Sequence, residues 1–171
     1  MEDPTVGNGN SGQGGASQDA EAPRAIEPAT VDNKGRLKLP ASFFEYLKKL
    51  GVNKVFVTTV DLEQVRVYPT SLWNANEKYA ESATDLKEEA EDILYLARHY
   101  GGDSDVDSQG RVLIPTELRR ELKMESAPVW VDCQRNGRIN VATHEAHEAR
   151  LHRAKADMIA KKKVVEKDGF K

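Results

Sequence analysis

The chain of 171 residues has one cysteine, few aromatic residues (6%) and no long apolar run. The single cysteine, Cys133, excludes a disulfide framework within the chain. No stretch reaches membrane-spanning length, and the N-terminus lacks the basic-then-apolar order of a signal peptide. These absences predict a cytoplasmic protein without a membrane partner. Because Cys133 shares a strand face with Val129 and Val131, we expect it to be a small core residue.

Signatures of catalysis and of cofactor binding are also missing. The sequence has no glycine-rich phosphate loop and no serine or cysteine in a recognisable nucleophile setting. His144 and His147 are three residues apart, whereas the zinc-protease motif places its histidines four apart with glutamate after the first, and no third ligand is evident. We therefore predict that the chain is not an enzyme and holds no metal or cofactor. A charged, exposed helix accounts for these histidines.

What the chain does contain is an internal repeat. Residues 31–40 are VDNKGRLKLP and residues 106–115 are VDSQGRVLIP, an offset of 75 residues. Valine, aspartate, glycine, arginine and proline recur in register, and the match continues over roughly 45 residues. A unit of about 45 residues is too small to bury a convincing core alone. Two such units are therefore expected to pack on each other, within the chain, between chains, or both.

Each copy of the repeat is predicted to fold as β-β-α-β-β. Asp32 with Gly35, and Asp107 with Gly110, have the spacing of a tight hairpin turn. The aspartate side chain caps such a turn, and the glycine supplies the positive φ that closes a type I turn with a bulge. Apolar residues alternate on the strands beside each turn, as expected for a strand with one buried face. These four residues are therefore expected to hold the turns in shape.

A helix and a second hairpin complete each copy. Pro40 and Pro115 are expected to end the preceding strand and to suit the first helical turn. The first helix is predicted to end at Gly51. The second hairpins are predicted over residues 54–68 and 129–143.

Five segments are expected along the chain. Residues 1–25, rich in glycine and polar residues, are predicted to form a disordered tail. Residues 26–73 and 102–147 hold the two repeats, and residues 74–101 form a helical connector. Residues 148–171 are predicted to form a C-terminal helix and a basic tail.

Helical spacing marks the connector and the C-terminal segment. In the connector, residues 73–82 predict one helix, and a second helix capped by Ser82 or Thr84 is predicted to run to Tyr100. A further helix is predicted from His144 to about residue 165. Its end either frays into a basic tail, contacts phosphate, or packs on a neighbouring subunit.

The net charge of −3 conceals a basic remainder. Residues 1–25 sum to −3 and residues 76–92 to −5, so all other residues together sum to +5. This is a modest electrostatic footprint for one chain. Tight binding to DNA is therefore expected to need several chains that present their hairpins together.

The paired Asp-x-x-Gly-Arg hairpins resemble those of the AbrB-type swapped-hairpin barrel. Two copies in one chain, a helical connector, and Val67-Tyr68-Pro69 followed by Leu72-Trp73 resemble the MraZ family specifically, over residues 26–147. The resemblance implies an α+β fold in which two β-β-α-β-β repeats form a swapped-hairpin β-barrel. It also implies a bacterial transcriptional regulator, located at the nucleoid, that binds short tandem DNA repeats as a ring larger than a dimer. Its implied target is the division and cell-wall gene cluster, including its own promoter.

The role of the two motif arginines, Arg36 and Arg111, has two interpretations. Each arginine either pairs with its own motif aspartate and stiffens the turn, or projects into a DNA groove to contact guanine edges or phosphate. From the chemistry alone the two are about equally supported, and the family resemblance favours DNA contact. The predicted DNA-binding residues are Lys34, Arg36, Lys38 and Arg111.

The second hairpin departs from the first in ways that put equal roles in doubt. Gln109 stands where the first copy has Lys34, and Leu113 stands where it has Lys38. Asp103 and Asp105 lie just upstream. The second hairpin is therefore expected to bind DNA weakly or to support assembly.

Two classes of function remain from the sequence. The first is a sequence-specific DNA-binding regulator. The second is a ring-forming scaffold or antitoxin-like module that binds a protein partner. The basic residues around Arg36 favour the first, whereas the overall acidity and the altered second hairpin favour the second.

Overall fold

The computed structural model describes residues 21–125 and 128–171, and residues 1–20 of the predicted disordered tail lie outside this part. Within the described residues the chain forms eight strands and six helices, in agreement with the predicted α+β class. The strands are β1 (Glu27–Val31), β2 (Arg36–Lys38), β3 (Lys54–Thr58), β4 (Val65–Pro69), β5 (Gly102–Asp105), β6 (Arg111–Leu113), β7 (Pro128–Cys133) and β8 (Ile139–Thr143). The helices are α1 (Ala41–Lys49), α2 (Thr70–Ser82), α3 (Lys87–Tyr100), α4 (Thr116–Glu121), α5 (His144–Lys155) and α6 (Met158–Lys167).

All eight strands belong to one antiparallel sheet, in the order β5-β3-β4-β8-β7-β1-β2-β6. The sheet curls until its two end strands meet, where Leu113 N–H of β6 donates to Ser104 Oγ of β5 at 3.0 Å. The result is a nearly closed barrel. Closure matters because it leaves little free sheet edge that another chain could pair with.

The first hairpin of each repeat is exchanged into the other repeat. Strand β1 pairs with β7 and β2 pairs with β6, whereas β5 pairs with β3. The second hairpins, β3–β4 and β7–β8, join through β4 and β8. The predicted swapped-hairpin barrel of two β-β-α-β-β repeats is confirmed, and the exchange takes place within one chain.

Both repeats contribute side chains to a single core inside the barrel. Leu37, Phe43 and Val112 are at most 1% exposed, and Leu118 is fully buried. Cys133 belongs to the same core, as predicted, and burial raises the pKa of its thiol to about 12. Because residues from both repeats interdigitate, neither repeat has a complete core of its own.

Helix α1 ends as the sequence predicts. Gly51 has φ of +69°, its N–H donates to the carbonyl of Lys48, and the Val52 N–H donates to the carbonyl of Leu47, both at 2.9 Å. This pair of hydrogen bonds is the Schellman motif, which needs a left-handed residue and therefore favours glycine. Pro40 lies at the N-cap, one residue before the helix begins.

The connector forms two helices, α2 and α3, that cover the outer face of β3 and β4. Trp73 stacks on Phe56 with ring centroids 4.6 Å apart, and buried Ala97 accepts a hydrogen bond from Thr58 Oγ1 at 2.6 Å. The predicted cap of the second helix by Ser82 or Thr84 is wrong. Ser82 ends α2 and donates to the carbonyl of Tyr79, and α3 begins after Leu86.

The prediction of one continuous C-terminal helix is also wrong. The chain forms α5 and α6, which are separated at Ala156 and Asp157, and Asp157 has φ of +54°. A left-handed residue interrupts the helical hydrogen bonds and reverses the chain. Every residue of α5 and α6 keeps at least partial exposure. No helix in the described part of the chain is long and apolar enough to span a membrane.

Candidate nucleic-acid interface

The two Asp-x-x-Gly turns, here called turn 1 (residues 32–35) and turn 2 (residues 107–110), have the same backbone geometry. In turn 1 the Gly35 N–H donates to the Asp32 carbonyl at 2.9 Å, and turn 2 repeats this bond at 2.9 Å between Gly110 and Asp107. Gly35 and Gly110 have φ of +80° and +69°. The predicted type I turn with a glycine bulge is confirmed in both copies.

In turn 1, Asp32 organises both the backbone and the motif arginine. Its Oδ1 accepts from the backbone N–H groups of Lys34 and Arg36, each at 2.9 Å. Its Oδ2 accepts from Arg36 Nε at 2.8 Å and lies 2.7 Å from Arg36 Nη2. The hydrogen bond from the Arg36 side chain, helped by the backbone donors, lowers the pKa of Asp32 to about 2. The carboxylate is therefore ionised at neutral pH and holds the guanidinium in one orientation.

Turn 2 repeats this arrangement with Asp107 and Arg111. Asp107 Oδ1 accepts from the backbone N–H groups of Gln109 at 2.8 Å and Arg111 at 3.0 Å, and Oδ2 accepts from Arg111 Nε at 2.7 Å. Loss of solvent acts to raise the pKa of Asp107, but the hydrogen bonds from Arg111 and the backbone outweigh it and leave the pKa lowered. The internal pairing considered for each motif arginine is therefore present in the structure.

Internal pairing does not exhaust the donors of Arg36. A guanidinium carries five N–H donors, and the edge formed by Nε and Nη2 faces Asp32. The terminal edge, formed by Nη1 and the second hydrogen of Nη2, points away from that carboxylate and can still make two parallel hydrogen bonds. Because its side chain is 34% exposed, Arg36 can present this edge to a ligand while Asp32 supports it from behind.

The surroundings of the two turns differ. A Cβ atom on Gly35 would overlap the guanidinium of Arg119, which donates from Nη1 to the carbonyl of Ile114 at 2.5 Å. A Cβ atom on Gly110 would instead meet the ring of Phe44. An added cation thus lies against turn 1, whereas an aromatic ring lies against turn 2.

The two predicted lysines occupy different positions around the turns. Lys34 is exposed at the tip of turn 1. Lys38 is also exposed, and its Nζ donates to the carbonyl of Gln109 in turn 2. Each turn is also bonded to the residue that follows the second strand of the other hairpin, by hydrogen bonds from Leu39 N–H to the Gly110 carbonyl and from Ile114 N–H to the Gly35 carbonyl, both 2.9 Å. Lys38 therefore connects β2 to turn 2, and Lys34 extends from turn 1.

Arg119 lies at this candidate interface, beside Gly35, although no sequence pattern selects it. It lies 75 residues after Phe44, the same offset as the repeat, so the two residues occupy equivalent places beside opposite turns. The offset alone could have paired them. Their contact with the turn of the other repeat depends on the exchanged hairpins, which a one-dimensional comparison does not contain.

His144 and His147 both contact the indole of Trp130. Trp130 Nε1 donates to His144 Nδ1 at 3.2 Å, and the His147 ring stacks on the indole with centroids 4.3 Å apart. Among residues 21–125 and 128–171, no group of three or more potential metal ligands comes together. In this structure these histidines attach α5 to β7.

Comparison with known proteins identifies related chains, although no family model matches. The transcriptional regulator MraZ of Acidobacterium capsulatum is 30% identical over 128 residues, which cover 75% of this chain and 86% of that protein. The transcriptional regulator MraZ of Neisseria meningitidis serogroup A is 32% identical over 132 residues, covering 75% and 84%. That of Koribacter versatilis is 35% identical over 107 residues, covering 61% and 73%.

Proposed function

Because this chain belongs to the MraZ family of transcriptional regulators, we propose that it binds double-stranded DNA in a sequence-specific manner through turn 1. The observation that carries the proposal is the supported arginine: Asp32 holds Arg36 while the terminal edge of the guanidinium remains available. Two parallel N–H donors match the O6 and N7 acceptors of guanine in the major groove. Lys34 at the tip and Arg119 beside Gly35 add positive charge for phosphate.

Turn 2 has a lesser role in this proposal. Arg111 has the same support from Asp107, so it can make the same kind of contact. Gln109 at the tip and Phe44 beside Gly110 replace cationic side chains of turn 1. Lys38 spans from β2 to turn 2 and serves mainly to hold the turns together.

The proposal includes a regulator assembled from several chains at the nucleoid in the cytoplasm. Its operator would consist of short tandem elements upstream of the division and cell-wall gene cluster, including its own promoter. Exposed apolar side chains of the connector, among them Leu86, Ile93 and Tyr95, support an assembly because they provide surface for contacts between chains. Several weakly basic chains then bind together with an affinity that one chain does not reach.

The proposal is tested by measuring affinity for the chain's own upstream DNA and for an unrelated duplex. Arg36→Ala should abolish specific binding, since a bidentate base contact is worth about 1–3 kcal/mol at each subunit that engages. Lys34→Gln, which leaves the Asp32 pair intact, should weaken binding to both duplexes. Arg111→Ala is the matched control, because it removes the equivalent ion pair and should cost no more than Arg36→Ala.

Thermal unfolding separates loss of contact from loss of structure. We expect Arg36→Ala and Arg111→Ala to lower the unfolding temperature similarly, since each leaves one aspartate unpaired. Normal specific binding by Arg36→Ala at full folding would overturn the assignment. Absence of DNA binding by the wild-type chain, even at low salt, would favour the alternative of a scaffold that binds a protein.

A further inference from the structure

The positive charge of this chain is concentrated at its C-terminal end. Residues 150–171, here called the basic arm, contain eight lysines and arginines and three acidic residues, a net charge of +5. Residues 26–75 and 93–149, which include the barrel strands, together contain 14 basic and 14 acidic residues. The repeats are therefore neutral as a whole, and the attraction that a DNA phosphate chain requires is supplied mainly by the arm.

The basic arm leaves the barrel at the edge that carries turn 1. Ala29 of β1 pairs with Val129 of β7, and Val129 pairs with Thr143 of β8, so the three residues form one row across the sheet. From this row β1 and β8 run in the same direction, β1 into turn 1 and β8 into α5. Two strand spacings, about 10 Å, separate these strands.

The first helical turn of α5 is anchored to the barrel at this edge. The first turn of α5 is held by Trp130, through the stack on His147 and the hydrogen bond to His144. Beyond it, all side chains from His152 to Lys155 except the half-buried Ala154 are exposed. The arm therefore extends from the barrel as a helical pair that solvent, or a ligand, surrounds.

The edge of the barrel that carries turn 2 has the same arrangement of strands and an aromatic stack, but the helices that follow it are acidic. Phe56 and Trp73, which precede Trp130 and His147 by 74 residues each, form the equivalent stack and hold α2. Strand β4 runs into α2 beside turn 2, as Val55 pairs with both Pro69 and Ser104. The helices that follow include the acidic residues 76–92, with net charge −5. A pair of helices with net positive charge therefore begins at the turn-1 edge, and a pair that contains the acidic segment begins at the turn-2 edge.

Helix α6 folds back along α5 and keeps its lysines in solvent. Lys161 Nζ donates to the carbonyls of Arg153 at 3.1 Å and Ala156 at 2.6 Å, which fastens the two helices together. Around α6, at 100° per residue, Met158 and Val165 share the side that faces α5, whereas Ile159 and Val164 lie about 100° away from it in opposite directions, with lysines between them. This scatter argues against insertion into a lipid surface, which needs a segregated apolar face.

We propose that the basic arm contacts the phosphate backbone of the duplex that turn 1 enters, without regard to base sequence. The inference rests on the proposed DNA binding and adds an orientation to it. The turn-1 edge makes the main contact with DNA, and the acidic connector weakens contact at the turn-2 edge. Turn 1 then supplies sequence discrimination, and the arm supplies salt-dependent affinity.

The test compares two full-length triple variants with equal changes of charge. The arm variant carries Lys162→Gln, Lys163→Gln and Lys167→Gln, and it spares Lys161 because that side chain fastens α6 to α5. The matched control carries Lys48→Gln, Lys49→Gln and Lys54→Gln, on α1 and at the start of β3, beside the turn-2 edge. Affinity for the upstream duplex and for an unrelated duplex is measured over a series of salt concentrations.

We expect the arm variant to bind both duplexes more weakly by the same factor, so that their affinity ratio is unchanged. The plot of log affinity against log salt should become shallower by about 0.9 for each lost phosphate contact in every engaged chain. The control should change that slope little. Arg150→Gln with Arg153→Gln should reproduce the arm effect from α5.

Three outcomes would overturn the inference. Equal slopes for the arm variant and wild type would show that the arm does not contact phosphate, while specific binding by both would leave the proposed function intact. A slope change in the control as large as that in the arm variant would show only a general charge effect. Arm-dependent binding to anionic phospholipid vesicles, without an effect on DNA, would reassign the arm to a membrane surface.

Discussion

At the scale of the residue, each motif aspartate connects the backbone of its turn to the motif arginine. Asp32 satisfies two backbone donors and an arginine at once, so the same carboxylate that closes the turn also aims the guanidinium. An ion pair on a partly exposed surface contributes little to stability by itself. For the proposed DNA contact, its value is in the fixed orientation of Arg36, which reduces the conformational freedom that the side chain would lose on binding.

Acid titration should reveal the Asp32 pair. The folded pKa of about 2 lies below the ordinary value of 3.8, so the ionised carboxylate stabilises the fold above about pH 4, and this contribution is lost as the pH falls through 2. Asp32→Asn should therefore lower the unfolding temperature at pH 7 and differ less from wild type near pH 2. Thermal unfolding followed by circular dichroism at both pH values measures this.

Asp85→Asn in the exposed connector serves as the control for removal of one carboxylate. It should leave the unfolding temperature close to that of wild type at both pH values. A constant difference between Asp32→Asn and wild type from pH 7 to pH 2 would show that ionisation of Asp32 does not stabilise the turn.

Residue identity predicted the turns well because turn chemistry is local. Gly35 and Gly110 have positive φ, and their N–H groups donate to the carbonyls of Asp32 and Asp107, as the turn spacing predicts. Arg119 escaped prediction because its contact with Gly35 crosses between repeats. Internal pairing and DNA contact are compatible for Arg36, because a guanidinium has two edges that can each make hydrogen bonds.

At the scale of the element, the strands were easier to predict than the helix ends. The predicted second hairpins, residues 54–68 and 129–143, match β3–β4 and β7–β8 within a residue or two, because buried valine and isoleucine alternate along these strands. The break at Asp157 was missed since alanine and lysine favour helix on both sides of it. Only the return of α6 onto α5, a tertiary event, requires the chain to reverse there.

The anchor of α5 gives a prediction for local stability. His147→Ala removes the stack on Trp130, and such aromatic pairs contribute about 0.5–1.5 kcal/mol. Amide hydrogens of α5 should then exchange several-fold faster, while those of β7 and β8 keep their protection. Hydrogen exchange followed by mass spectrometry or NMR measures both regions in one experiment.

His152→Ala is the matched control, because His152 is an exposed histidine on the same helix. It should leave exchange in the first turn of α5 unchanged, and the N-cap bond from Ala146 N–H to Thr143 Oγ1 remains in both variants. Equal exchange rates in wild type and His147→Ala would show that another contact holds the helix.

At the scale of the whole molecule, hairpin exchange is completed within one chain. The repeats were expected to need each other, and the pairing of β1 with β7 and of β3 with β5 meets that need without a second copy. The sequence could not decide between exchange within a chain and between chains, because the same strand pairings serve both. The proposed assembly into a ring would therefore use surfaces outside the barrel seam.

The assembly predicts how affinity depends on the number of operator elements. Light scattering should give a mass larger than that of a dimer at micromolar concentration. Duplexes with one, two and three elements, spaced near one helical turn, should bind with steeply rising affinity, because linked sites raise the effective concentration. Each added element should also steepen the dependence on salt.

A stable monomer would contradict the assembly. Equal affinity for one element and for three, with little effect of salt, would contradict multivalent binding whatever the mass. The monomer result would leave the barrel fold unaffected, since its strand pairs are all within the chain.

The exchanged hairpin also determines when the barrel can close during synthesis of the chain. Glu27 pairs with Val131, on the order of 100 residues later, a long-range contact of the kind that slows folding. During synthesis, β1 and β2 emerge from the ribosome well before β7 and β6, with which they pair. Until those strands are made, the outer edges of the β1–β2 hairpin stay unpaired. The barrel therefore closes only when nearly the whole chain has been translated, and its nascent first half is the stage at which a chaperone has most to protect.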